Sequence, residues 1–98
     1  MICFRCKNDF PENQIEVSHD IPKYLGGTDK DGRHILCVDC HEKYDYLILF
    51  CFMLKKYDQV IPRFNDRRKY IQFHNKIKRD KITGDDFKII KQVMEAYF

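Results

Sequence analysis

Four of the five cysteines fall in two C-x-x-C pairs, Cys3 with Cys6 and Cys37 with Cys40, with thirty residues between the pairs. That spacing constrains the fold more than any other feature. Each pair presents two thiolates from one tight turn, and a tetrahedral zinc ion takes four such ligands at about 2.3 Å. Closing both pairs on one structural zinc turns residues 7–36 into a folded insert between two knuckles. The alternatives are two unrelated pairs or a redox dithiol. A chain of 98 residues buries a thin core, so a metal staple has a clear physical use. The opening residues, MICFRCKNDF, lack a basic segment followed by an apolar stretch and a small-residue cleavage site. A reducing, cytoplasmic setting is therefore expected, where metal binding is favoured over disulfides. The fifth cysteine, Cys51, lies in an apolar run and is expected in the core.

The pattern predicts one small α+β domain over 1–98, with a zinc-bearing part at 1–57 and a helical, basic extension at 58–98. Residues 14–17 read as a short extended piece that continues to Pro22, which biases Ile21 away from helix. Gly26 and Gly27 open a loop, Asp31-Gly32 makes a further turn, and residues 34–36 form a second strand. A helix is expected from Asp39, capped there with Glu42 in the box position, to about Tyr57. Its run 47–54 is too short to span a bilayer, so no membrane partner is expected. That helix is apolar nearly all round. Either the C-terminal helices wrap it or it forms a homodimer seam. Ile61-Pro62 should break it. A second helix follows at 63–78, and Thr83 with Asp86 should begin a third, whose apolar stripe is Phe87, Ile90, Val93, Met94 and Tyr97.

Charge is divided unevenly. Residues 1–50 carry six Lys/Arg and nine Asp/Glu, and residues 51–98 carry twelve and six. The basic side chains gather on the second helix as Arg63, Arg67, Arg68, Lys69, Lys76 and Lys78. Such a row suits phosphate contacts with nucleic acid, or is a solvated face. Tyr70 and Phe73 interleave with it and are expected as core contacts.

Inside the insert the chain reads Ser18-His19-Asp20-Ile21-Pro22, then Gly26-Gly27-Thr28-Asp29, then Leu36-Cys37-Val38-Asp39-Cys40-His41. In these residues it resembles the HNH endonuclease family, over about residues 3–45. The resemblance implies a ββα-metal core, a two-stranded ribbon and a helix gripping one divalent ion; the residue pattern adds two further helices after it, and the expected partner is double-stranded DNA. It implies His19 as the general base that takes a proton from water. It implies His41, on the first turn of the helix, as ligand of a catalytic Mg²⁺ or Mn²⁺, with Asp45 one turn on as a second ligand.

Two positions depart from the family pattern. Ser18 stands where a metal-binding Asp or His is usual, and Asp20, on the same strand face, is the candidate to replace it. The central Asn is missing from Asp31-Gly32-Arg33-His34, which leaves His34, or the backbone near Gly32, to orient His19. The leading expectation is a metal-dependent DNA endonuclease. The alternatives are a non-catalytic nucleic-acid-binding module on the same scaffold, favoured by those departures, and a zinc-stapled protein–protein adaptor, favoured by the apolar helix.

Overall fold

The computed structural model describes residues 1–60, 67–80 and 82–98, without the side chains of Arg67 and Lys69. The expected helix break at Ile61-Pro62 and the candidate phosphate contact Arg63 lie outside the described residues, as do the side chains of Arg67 and Lys69. The fold is α+β. Strands β1 (Ile15–His19) and β2 (Arg33–Cys37) pair antiparallel, followed by helices α1 (Val38–Tyr57), α2 (Arg67–Arg79) and α3 (Gly84–Tyr97). The chain divides into two compact units, one of residues 1–45 with 97–98, the other of residues 46–96.

The first unit is built around the cysteines. Residues 1–10 form a tight knuckle: Ile2 bridges Asp9, the Cys3 N–H donates to Asn8 O at 2.9 Å, and the turn passes through Lys7 at φ 65°. The Phe4 N–H donates to Ile35 O at 2.8 Å, which ties this knuckle to β2. Cys3, Leu36, Cys37 and Cys40 form a buried cluster, with Cys6, Phe10, Ile15 and Phe98 packed on it. Strand register runs from Ile15 opposite Cys37 to His19 opposite Arg33. The first strand therefore starts at a cysteine knuckle and ends at the candidate base.

Helix α1 starts one residue earlier than expected. The reason is its cap: Cys37 Sγ accepts the N–H of Cys40 at 3.4 Å. A sulfur three residues upstream does here what a Ser or Asp oxygen does at an ordinary N-cap. Asp39 is left in the exposed first turn, paired with Lys43 at 2.8 Å.

The second unit has its own apolar centre. Ile48, Leu49, Phe52 and Met53 of α1 are buried, as are Ile77 of α2 and Ile90 and Val93 of α3. Each fully buried side chain of this size contributes about 1.5–3 kcal/mol from area removed from water. Leu54 and Phe87 face outward at about 40% exposure, and Cys51 is only half-buried. These three mark the limits of the apolar stripes read from the sequence. Tyr70 and Phe73 are half-buried. Asp86 accepts the Thr83 N–H at 2.7 Å and a Lys56 ammonium proton at 2.8 Å, fixing the start of α3.

Candidate metal centre and histidine cavity

Cys3, Cys6, Cys37 and Cys40 bring their sulfurs within 4.8 Å of one another, and three of the four are buried. They are positioned to hold a metal ion, with a donor set compatible with zinc. Their electrostatics point the same way. Burial works against ionising Cys3, yet backbone hydrogen bonds from Cys37, Cys6 and Arg5 and the Cys6 thiol bring its pKa down to about 6. Burial, the thiols of Cys37, Cys3 and Cys6 and the charge on Cys3 push Cys40 up to about 12. Four sulfurs this close cannot all ionise unless a cation sits among them, and a bound cation deprotonates its thiol ligands outright. Around the centre, the Tyr97 hydroxyl donates to Cys40 O at 2.7 Å, and the Arg5 guanidinium lies 4.9 Å over the Tyr97 ring.

A cavity of about 430 Å³ opens on the same unit, lined by Val17 and His19 of β1, by Pro22, Lys23 and Tyr24 of the turn after it, and by His41 and Asp45 of α1. One helical turn separates His41 from Asp45, so both side chains share a face, with His41 Nε2 3.5 Å from an Asp45 oxygen. His41 Nδ1 lies 3.2 Å from Glu16 Oε1. The two carboxylates thus sit on opposite ring nitrogens of His41. Among the described residues the only donor group that closes on a single point is the cysteine cluster. Burial pushes the Asp45 carboxyl up, His41 opposes that, and the Glu16 charge adds to it.

His19 meets Asp29, whose Oδ1 lies 2.7 Å from His19 Nε2. The hydrogen bond from His19 is the main cause holding the Asp29 carboxyl below its ordinary range. An ionised carboxylate only accepts, so His19 donates from Nε2, and in a neutral ring the lone pair is then on Nδ1.

The other two candidates lie elsewhere. Asp20 is buried at 5% exposure and hydrogen-bonds His34 Nδ1 rather than facing His41. Its backbone O accepts from the buried Tyr44 hydroxyl, whose pKa burial raises. A Cβ at Gly32, where φ is +104°, would come within 2.5 Å of Asp20 Oδ2, so glycine makes room for this carboxylate. The His34 ring stacks on Phe98 at 4.1 Å and lies 4.5 Å from Phe4. His34 therefore orients nothing at His19. Ser18 is fully buried, and its hydroxyl has no hydrogen-bond partner among the described residues.

Of the basic candidates on α2, Arg68 and Lys78 are exposed. Lys76 is half-buried with its ammonium 4.5 Å over the Tyr57 ring, so it is engaged within its own unit. Burial, and then the Lys78 charge, lowers the pKa of His74.

Asp29, Glu16 and Lys23 join the site although sequence reasoning missed them. Asp29 carried a usable signal, an acid at the end of a Gly-Gly loop that must return toward His19. Glu16 and Lys23 carried none beyond being charged. Among the described residues, no helix is long and apolar enough to cross a membrane. No protein-family model, curated protein or solved structure matches the chain.

Proposed function

We propose that this chain is a metal-dependent endonuclease of the HNH kind, hydrolysing phosphodiester bonds in DNA on a domain stapled by one structural zinc. The observation that carries the reading is the cavity where His19, His41, Asp45 and Lys23 meet. It joins a nitrogen base, two ligand-type side chains and a cation at one solvent-open spot.

In this reading His19 Nδ1 takes a proton from water as the water attacks phosphorus. The Lys23 ammonium attracts the phosphate. His41 and Asp45, a nitrogen and an oxygen donor on one helix face, suit a divalent cation, Mg²⁺ or Mn²⁺. When bound, that ion supplies charge stabilisation at the phosphate and the leaving oxygen. The four cysteines serve the fold by holding the first knuckle, β2 and the start of α1 together. Exposed Arg68 and Lys78 supply phosphate contacts.

The test is plasmid nicking by zinc-loaded protein with Mg²⁺, Mn²⁺ or neither, beside His19→Ala. The expected result is cleavage that needs the added ion and falls at least about 100-fold in the variant, as loss of a general base does. Cleavage that survives in His19→Ala removes His19 as the base.

A second reading, a catalytically silent nucleic-acid-binding module, is favoured by Ser18. Its side chain is fully buried and brings no carboxylate or imidazole to the cavity. Folded protein that binds DNA with a steep salt dependence, yet cleaves under no ion, would select this reading.

A further inference from the structure

We infer that Asp29 is the positioning residue of His19, fixing which ring nitrogen carries the proton and which way the ring faces; the inference rests on reading His19 as the base. The loop between the strands is built to deliver this carboxylate. Strand β1 ends at His19, and the Asp20 N–H donates to Gly32 O at 3.0 Å, pinning the two ends of the loop together. Between them the chain folds back on itself so tightly that a Cβ on Gly27 would lie 1.6 Å from Ile21 O. The Gly27 N–H donates to Pro22 O at 3.1 Å, and Gly26 turns through φ +90°. No side chain fits at Gly27, and Gly26 takes a conformation that L residues rarely adopt.

The short 3₁₀ turn Asp29–Asp31 then begins with a capping box. Asp31 supplies the box carboxylate, accepting the Thr28 N–H at 2.8 Å and lying 3.1 Å from the Thr28 hydroxyl. The Asp29 carboxylate is therefore not needed for the cap, and it reaches His19 instead at 2.7 Å. The histidine is mostly covered, at 15% side-chain exposure, while Asp29 is 69% exposed. Removing the acid should therefore leave the fold in place and release only the ring. His34 cannot take over, because its own Nδ1 is engaged by Asp20 and its ring by Phe98. An acid that accepts the far N–H of a catalytic histidine holds the tautomer and orientation that proton abstraction requires.

The experiment compares native, Asp29→Ala and Asp29→Glu chains, all zinc-loaded. The first readout is the Hε2 proton of His19 in nitrogen-edited spectra. The second is plasmid nicking resolved into kcat and KM. The expected result is a downfield Hε2 resonance in the native chain that vanishes in Asp29→Ala and returns in Asp29→Glu. Alongside it, kcat should fall about 10- to 100-fold in Asp29→Ala, part of the ~10²–10⁴-fold that a positioned general base contributes. KM should stay unchanged, and Asp29→Glu should recover most of the loss. An Hε2 resonance that persists unchanged in Asp29→Ala overturns the inference whatever the cleavage shows. So does full kcat in Asp29→Ala when His19→Ala is inactive. If the native chain cleaves nothing and the resonance still depends on Asp29, the positioning inference stands and the nuclease reading falls.

Discussion

Ser18 and His19 are neighbours on one strand with opposite environments. The serine points into the unit with its hydroxyl unpaired among the described residues, and the histidine lines the cavity. A buried hydroxyl without a partner costs about 1–3 kcal/mol of desolvation. Ser18→Ala should therefore raise stability by about 1 kcal/mol, read as a higher urea midpoint at unchanged slope. Ser18→Asp should lower it, because a carboxylate would be buried where even a hydroxyl finds no partner. A Ser18→Ala chain less stable than the native one would mean the hydroxyl has a partner after all. The resemblance singled out His19, His41 and Asp45, and all three line one cavity. The resemblance was not enough to assign Asp20, His34 and Asp29. Which acid meets which imidazole depends on the path of the return between the strands, and the sequence shows the turn residues of that path without its direction.

Elements show the same division. The glycine pair made the loop legible, and the structure adds why Gly27 is obligatory. Gly27→Ala should cost about 1–3 kcal/mol, the usual range for forcing atoms into a filled site, and should release Asp29 from His19. A chemical denaturation midpoint equal to the native value would show that the loop tolerates the methyl. The start of α3 was legible from Thr83 and Asp86, and its pH response follows from the same contacts. Burial opposes the Asp86 charge, but the Lys56 ammonium and the Thr83 N–H hold the carboxyl below its ordinary 3.8. A depressed folded-state pKa contributes stability that is full above the unfolded value and is lost as pH falls through the folded one. Asp86→Asn should therefore be less stable at neutral pH and lose less on acidification below about pH 4. Parallel native and variant acid profiles would remove Asp86 as a source of that loss. Helix α2 separates its cations by what each one touches. Arg68→Ala with Lys78→Ala should flatten the salt slope of DNA binding by about 2, one for each phosphate no longer neutralised. Lys76→Ala should instead lower thermal stability, since its ammonium sits over Tyr57. A full salt slope in the double variant would return α2 to a solvated face.

At the scale of the whole molecule, the two units differ in what holds them. Among the described residues, 46–96 has seven buried apolar side chains from three helices. The first unit has a two-stranded sheet, a few helical turns and, among the described residues, six buried apolar side chains, of which three are the cysteines Cys3, Cys37 and Cys40. A two-stranded hairpin alone is marginal in water. Zinc held by such a site contributes an apparent ~10–16 kcal/mol at neutral pH, as much as the ~5–15 kcal/mol net stability of an ordinary domain. The first unit therefore has little in reserve without a metal: Leu25, Leu36 and Tyr44 are its buried apolar side chains other than cysteine among the described residues. Chelation should erase amide-exchange protection across β1, β2 and the first turns of α1, and Cys6→Ser should do the same without a chelator. Protection in the second unit tests how far its own core suffices, because its buried side chains include no ligand. The cavity of His19, His41 and Asp45 lies wholly in the first unit, so cleavage should disappear with zinc even when Mg²⁺ is abundant. Full protection of β1 and β2 in metal-free protein would show that the cysteines pack as ordinary core, and the cavity would then owe its geometry to Tyr44, Phe98 and the loop glycines alone.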